Sequence, residues 1–156
     1  MLHTSPSRDK FRMKVMDTQQ KFGFKNITLD VRTSDGLDDI LLEGLYYTAK
    51  DGSQYCSPIG SGTDGFSVPR CVQNIIPPTG GSWFAAVQHD ASYRGTLQIL
   101  NAAGAWEVAN LTQEQCDNLI LEALESQGVG IVERELIYRA LRLFGHVAFN
   151  EDRGIK

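Results

Sequence analysis

The stretch from Trp83 to Tyr93 constrains the fold most, because it combines a helical pattern with two ionisable side chains. It follows a turn-forming run of prolines and glycines, and Ser82 is suited to be its N-cap. On such a helix, His89 and Tyr93 share one face, and Asp90 lies on the neighbouring face beside an apolar stripe. Burial and pairing shift pKa values most in such a position. We therefore expect any chemistry of this chain to centre on this helix.

Composition limits the class of protein. The 156 residues suffice for one domain with a core, and 42% hydrophobic with 22% charged residues is typical of a globular protein. A net charge of −4 argues against nucleic acid as the main partner. No apolar run approaches the roughly 20 residues of a membrane span. The N-terminal residues also lack the apolar core of a signal peptide.

The three cysteines, Cys56, Cys71 and Cys116, have no metal-ligand spacing, and their number is odd. We therefore expect buried, reduced thiols in a reducing compartment rather than a disulfide framework. A nucleophilic pair between His89 and either Cys71 or Cys116 is an open alternative, although buried free cysteine is the commoner case.

The N-terminal third predicts a small antiparallel sheet. Residues 1–22 are polar and predict an arm or a weak helix. Alternating apolar and polar side chains predict a strand over 26–32, and a second strand follows over 40–49. The Asp51-Gly52 pair predicts a type I′ hairpin that returns the chain through 54–56.

A second hairpin and a capped helix follow the His-Asp helix. Residues 96–100 and 105–109 predict two strands around a turn, projecting between two helices. Thr112 predicts the N-cap of the next helix with Gln115 as its capping-box partner, and Gly128 predicts its end. The core face of that helix is predicted to comprise Asp117, Ile120, Leu121 and Leu124, although a carboxylate on a core face is unusual.

The last helix is predicted over about 132–148. Its predicted buried residues are Val132, Leu136, Ala140, Leu143, Phe144 and Val147. The fold class is therefore α+β: a small N-terminal antiparallel sheet followed by a three-helix core with an inserted hairpin. The predicted units are an arm over 1–22, one domain over 23–149 and a tail over 150–156.

Asp64, His89, Asp90 and Asp117 form the candidate site. His89 is suited to be a general base near neutral pH, provided that a carboxylate such as Asp117 fixes its tautomer. Asp90 is then free to bind a hard cation, with carbonyls from the glycine-rich loop around Asp64. The alternative is a set of paired acids around one core histidine. The same loop also fits a plain connecting turn, and it lacks the lysine of a phosphate-binding P-loop.

Several motifs resemble the phage and bacterial family known as domain of unknown function 1353. They are Thr63-Asp-Gly-Phe-Ser-Val-Pro-Arg70, Ala85-Ala-Val-Gln-His-Asp-Ala-Ser-Tyr93, Cys116-Asp117 and Tyr138-Arg-Ala-Leu-Arg-Leu-Phe-Gly145. The resemblance covers roughly residues 40–149. It implies a fold unit in a phage context, with a phage or virion protein as a partner and a place in the host cytoplasm or the virion. It implies no reaction.

His89, Asp90 and Tyr93 also resemble the His-Asp-x-x-Tyr helix of secreted phospholipase A2. That resemblance implies that His89 is the base and that Asp90 is a calcium ligand. Asp64 would be a further ligand, in the glycine-rich loop that takes the place of the phospholipase calcium loop. The resemblance also implies that Asp117 and Tyr93 form the supporting hydrogen-bond network. The implied function is calcium-assisted hydrolysis of a lipid or another ester. The phospholipase disulfides and its Cys-Gly-x-Gly calcium loop are missing here. The competing hypothesis is a phage accessory or virion protein without catalysis, in which the His-Asp-Asp set is a buried polar clasp.

Overall fold

The computed structural model describes residues 10–14, 21–25, 28–34, 37–63 and 82–154. The predictions that concern Asp64 and Cys71 lie outside the described residues. In the described part, the strands are β1 Lys10–Lys14, β2 Gly23–Phe24, β3 Thr28–Ser34, β4 Leu37–Leu41, β5 Leu45–Thr48, β6 Gln54–Ser57, β7 Gly62–Thr63, β8 Gln98–Leu100 and β9 Trp106–Val108. The helices are α1 Ser82–Tyr93, α2 Gln113–Ser126 and α3 Ile131–Arg153.

The strands form two antiparallel sheets, which confirms the α+β class. One sheet has the order β1-β3-β4-β7 and the other has the order β2-β5-β6-β8-β9. The predicted strand over 40–49 is in fact two strands in different sheets. The chain bends over 42–44, where a Cβ on Gly44 would lie 3.2 Å from the Sγ of Cys56. Of the predicted arm over 1–22, the structure describes 10–14 and 21–22, and residues 10–14 form β1, which pairs with β3 along its whole length.

Both predicted hairpins are present, with differences in their details. The β5–β6 loop is closed by hydrogen bonds from Gly52 N to Ala49 O (3.0 Å) and from Ala49 N to Ser53 O (2.9 Å). These bonds define a three-residue loop in which Gly52 has φ +89°, not the two-residue type I′ turn that was predicted. The β8–β9 hairpin does not project on its own, because β8 pairs with β6 and extends the five-stranded sheet.

Helix α1 lies at the centre of the molecule and is buried along its whole length. It contacts β6, β7, α2 and α3. Ala85 and Ala86 belong to a core cluster with residues of α2 and α3, whereas Trp83, Phe84 and Val87 pack with Leu41 and Leu45. The two small alanines let α2 approach closely, and the larger side chains fill the space on the other side.

Helix α2 begins and ends as predicted. The Thr112 Oγ1 accepts from the Gln115 backbone N (3.3 Å), while the Gln115 Oε1 accepts from the Thr112 N (2.8 Å). Gly128 follows the C-cap with φ +76°. Asp117, Ile120 and Leu124 are buried as predicted, whereas Leu121 is only partly buried.

Helix α3 is longer than predicted and buries a different face. It continues to Arg153, so most of the predicted 150–156 tail is helical. Of the residues predicted to be buried, Ala140 is buried, whereas the others are exposed: Val132, Leu136, Leu143, Phe144 and Val147. The remaining buried residues of the helix are Ile137, Leu141 and Gly145. The reason is the close approach at Gly145, where a Cβ would lie 2.5 Å from the Tyr93 Oη. None of the helices in the described ranges is both long and apolar enough to cross a membrane.

We expect Gly145→Ala to destabilise the protein, although alanine is the better helix former by about 1 kcal/mol. The added methyl must displace the Tyr93 hydroxyl, and overpacking of this kind costs about 1–3 kcal/mol. Urea unfolding measures the change. His146→Ala, at the next, exposed position, is the control and should change stability by less than about 0.5 kcal/mol. An unchanged or more stable Gly145→Ala variant would contradict the packing.

Candidate functional site

His89 lies between two carboxylates near the C-terminal end of α1. Its Nε2 is 3.5 Å from the Asp117 Oδ1, and its Nδ1 is 3.8 Å from the Asp90 Oδ1. His89 is 5% exposed and Asp117 is fully buried. The Nε2–Oδ1 distance allows an ion pair but is longer than an ordinary N–H···O hydrogen bond. Among the described residues, Nε2 has no hydrogen-bond partner.

Asp117 joins the three helices. Its Oδ1 accepts a hydrogen bond from the Tyr93 hydroxyl of α1 (2.5 Å), and its Oδ2 accepts one from the Arg142 Nη1 of α3 (3.1 Å). Asp117 is thus buried on the core face of α2, as predicted, and is hydrogen-bonded to Tyr93 of the His-Asp helix. Each oxygen of the buried carboxylate therefore has a protein donor, as the cost of burying a charge requires.

Tyr93 is held from several sides. Its ring lies 4.0 Å from that of His89 and 5.3 Å from that of Phe149, measured between centroids. Its backbone carbonyl accepts from the Arg153 Nε (2.7 Å), and the Ser92 carbonyl accepts from Nη2 of the same residue (2.7 Å). Arg153 thus places a positive charge at the C-terminal end of α1, where the helix dipole favours it. Burial and the Asp117 carboxylate raise the pKa of Tyr93, so its hydroxyl stays a donor.

The charges of the site reinforce each other. Burial alone would lower the pKa of His89, but the adjacent Asp117 and Asp90 carboxylates outweigh it, and the pKa lies above its ordinary value. Burial would raise the pKa of Asp117, but the adjacent His89 ring and the hydrogen bonds from Tyr93 and Arg142 outweigh it, and that pKa is lowered. Compared with the same groups in water, Asp117 therefore loses its proton more readily and His89 keeps its proton more readily.

Sequence reasoning found the α1 and α2 members of the site but missed those on α3. No role at the site is predicted from the sequence for Arg142, Gly145 or Arg153. A signal for two of them was present, since Arg142 and Gly145 belong to the Tyr138–Gly145 motif. Arg153 lies outside that motif and could not have been found in this way.

Of the two predicted calcium ligands, the structure describes Asp90 but not Asp64. Asp90 is buried beside His89, and its Oδ2 has no hydrogen-bond partner among the described residues, whereas Asp64 lies outside them. Within the ranges that the structure describes, no group of three His, Cys, Asp or Glu residues is placed to hold a metal ion. Calcium takes about six to eight oxygen ligands, so Asp90 alone does not make a site.

Two other features bear on the chemistry. Burial raises the pKa of the Cys116 thiol, which disfavours a thiolate nucleophile, and both Cys56 and Cys116 are free and buried.

A groove of about 220 Å³ lies beside Ala91 and Arg94. Those residues are two and five positions beyond His89, and the groove is lined by none of His89, Tyr93 and Asp117.

The fold and site define an α+β domain in which a buried His-Asp-x-x-Tyr helix is held by a carboxylate and an arginine from two later helices. The family described as Protein of unknown function (DUF1353) matches residues 40–141, and the chain belongs to this family, as the sequence motifs predicted. The match contains His89, Asp90, Tyr93 and Asp117 and ends just before Arg142. Comparison with curated proteins and with solved structures gives no match.

We expect His89 to stabilise the fold in a pH-dependent way. A raised pKa means that its contribution is complete below the unfolded-state value of about 6.5 and is lost as pH rises through the folded-state value. The free energy of unfolding should therefore differ most between wild type and His89→Asn at acidic pH, and the difference should shrink at alkaline pH. Urea titrations across this range measure it. A difference that grows with pH would contradict the assigned charges.

Proposed function

We propose that this chain is a hydrolase in which His89 is the general base that activates water for attack on an ester. The observation that supports this proposal best is the position of Asp117, a fully buried carboxylate 3.5 Å from the His89 Nε2. A carboxylate held there by Tyr93 and Arg142 orients the imidazole and favours the tautomer with a proton on Nε2. That tautomer leaves the lone pair of Nδ1 free.

The proposed reaction needs no group beyond the ester, water and the side chains. Nδ1 of neutral His89 takes a proton from water while the oxygen attacks the ester carbonyl. The resulting imidazolium is stabilised by Asp117, and it returns the proton to the leaving alkoxide as the C–O bond breaks. The 3.5 Å separation from Asp117 is compatible with this role, because catalytic hydrogen bonds often shorten when substrate binds.

The proposed substrate is a lipid or another ester, as the phospholipase resemblance implies. Calcium assistance through Asp90 is part of the proposal and is supported by the Oδ2 of that side chain, which has no hydrogen-bond partner in the described part of the chain. It requires further oxygen ligands, of which Asp64 is the predicted one, and the reaction above has no step through the metal. We also propose a phage setting, in the host cytoplasm or the virion, from the family resemblance.

A second candidate is supported by burial. His89 is only 5% exposed, and its carboxylate partner ties α1 to α2 and α3. These observations fit a phage accessory or virion protein in which the same residues form a buried polar clasp. Such a network rigidifies a fold without any catalysis. The two candidates differ in whether water reaches the His89 Nδ1.

We expect His89→Asn to lower kcat/KM on a short-chain p-nitrophenyl ester or on phospholipid micelles by about 10²-fold or more. Asp117→Asn should lower it by roughly 10–100-fold through loss of a charged hydrogen-bond partner. It should also move the acid limb of the pH–rate profile to lower pH, because the raised pKa of His89 depends on that charge. Exposed His146→Ala is the control and should retain wild-type kinetics.

The second candidate, a buried polar clasp without catalysis, makes the opposite prediction for wild type and the same variants. Wild type would then hydrolyse neither substrate at any pH, and His89→Asn and Asp117→Asn would chiefly lower the free energy of unfolding. Leaving a partner of a buried ion pair unpaired typically costs about 3–5 kcal/mol. An active wild type whose acid limb is unmoved by Asp117→Asn would also contradict the proposed mechanism.

Calcium at Asp90 is tested by thermal unfolding with calcium or a chelator. A cation bound only by the folded state stabilises it, by about 2.7 kcal/mol at a hundred times the dissociation constant. We expect calcium to raise the Tm of wild type and to have little effect on Asp90→Asn. Glu107→Gln, which removes an exposed carboxylate in β9, is the control and should respond like wild type. No calcium shift in wild type would remove the metal from the proposal.

A further inference from the structure

Helix α3 carries an apolar stripe on its exposed side. Val132, Leu136, Leu143 and Val147 are 72%, 44%, 66% and 51% exposed. At about 100° per residue they lie within about 60° of each other around the helix. We name these four residues the α3 stripe. Scattered exposed apolar side chains are ordinary, but an aligned row on one helix face indicates an interaction surface.

The α3 stripe has a symmetry that limits what can cover it. Val132 and Val147 lie equally far from the midpoint between Arg139 and Ala140, and so do Leu136 and Leu143. The stripe therefore presents Val-Leu-Leu-Val in the same spacing from either end, over about 22 Å of helix. A twofold interface requires a surface that is complementary to its own reversed copy. The α3 stripe meets this requirement residue by residue.

We propose that the α3 stripe binds the same stripe of a second copy of this chain, with the two helices antiparallel. Val132 of one copy then packs against Val147 of the other, and Leu136 packs against Leu143. The core face of α3 is centred on Leu141 with Ile137 and Gly145 and points away from the stripe, while Ala140 is the buried residue nearest to it. This face stays packed within its own chain. The dimer therefore forms from folded chains without rearrangement.

The charges beside the stripe agree with the antiparallel arrangement. Glu135 and Arg139 are exposed on one edge of the stripe and lie 3.8 Å apart as an i,i+4 pair. Because Arg139 adjoins the midpoint, the twofold axis brings the Arg139 side chains of the two copies near each other, and each is paired with Glu135 of its own chain. The antiparallel arrangement therefore places no unpaired charge beside the axis, whereas a row of one sign would repel its copy.

The expected association is weak and reversible. A standard stable interface buries about 800 Å² on each partner, and one helix pair provides less. We expect a dissociation constant on the order of 10 μM, so that the protein is monomeric when dilute and dimeric when concentrated. Sedimentation should then show the mass rising from 17.3 kDa towards twice that value with concentration.

Introducing a charge into the apolar stripe tests its role. Leu136→Glu and Leu143→Glu should each weaken dimerisation at least tenfold while leaving thermal unfolding of the monomer unchanged. Ile131→Glu is the matched control, because Ile131 is 68% exposed on the same helix but lies about 100° from Val132. It should dimerise like wild type. Wild type that stays monomeric at all concentrations would overturn the proposal, as would dimerisation that survives both leucine substitutions.

Disulfide trapping tests the orientation. In the antiparallel pair, residue 132 faces residue 147 of the other copy and lies far from its own equivalent. A mixture of Val132→Cys and Val147→Cys should therefore form a cross-linked dimer on mild oxidation, and neither variant alone should do so beyond the wild-type level. Cross-linking of Val132→Cys by itself would overturn the antiparallel arrangement.

Discussion

The structure depends on the burial of one carboxylate, that of Asp117. A buried charge is tolerated only when it is paired and hydrogen-bonded, and Asp117 obtains Tyr93 from α1 and Arg142 from α3 as donors, with His89 beside it. The packing of the three helices follows from this need. Position 145 requires glycine because the Tyr93 hydroxyl occupies the space that a Cβ would need there. Moving one helix would leave a charge unpaired in the core.

The same carboxylate explains why one set of atoms supports both candidate functions. An ionised Asp117 stabilises an imidazolium at His89, which is the charge that a general base acquires during catalysis. It is also the charge that holds a buried clasp together. The proposed hydrolase therefore needs a higher pH to free its base than an unperturbed histidine would, because the pKa of His89 is raised. The clasp is strongest where the hydrolase is least active, so the two candidates depend on pH in opposite directions.

Sequence reasoning succeeded where local chemistry decides the structure. The Thr112–Gln115 capping box needs only four residues, and a carboxylate on a core stripe predicts a partner such as Tyr93 because the cost of burial is large. It failed for α3, where the apolar pattern predicts that the largest apolar residues are buried. The packing face there was selected by close approach, which favours Gly145 over Leu143, and no local rule contains that information. The positions of Arg142 and Arg153 depend on the same approach.

An NMR titration of the His89 ring tests the account most directly, because it reports the charge and the tautomer at one residue. We predict a pKa above the ordinary value of about 6.5, a neutral ring with its proton on Nε2, and a lower pKa in Asp117→Asn. These results would establish that Asp117 controls His89. A pKa at or below the ordinary value, or a neutral ring protonated on Nδ1, would contradict the central claim.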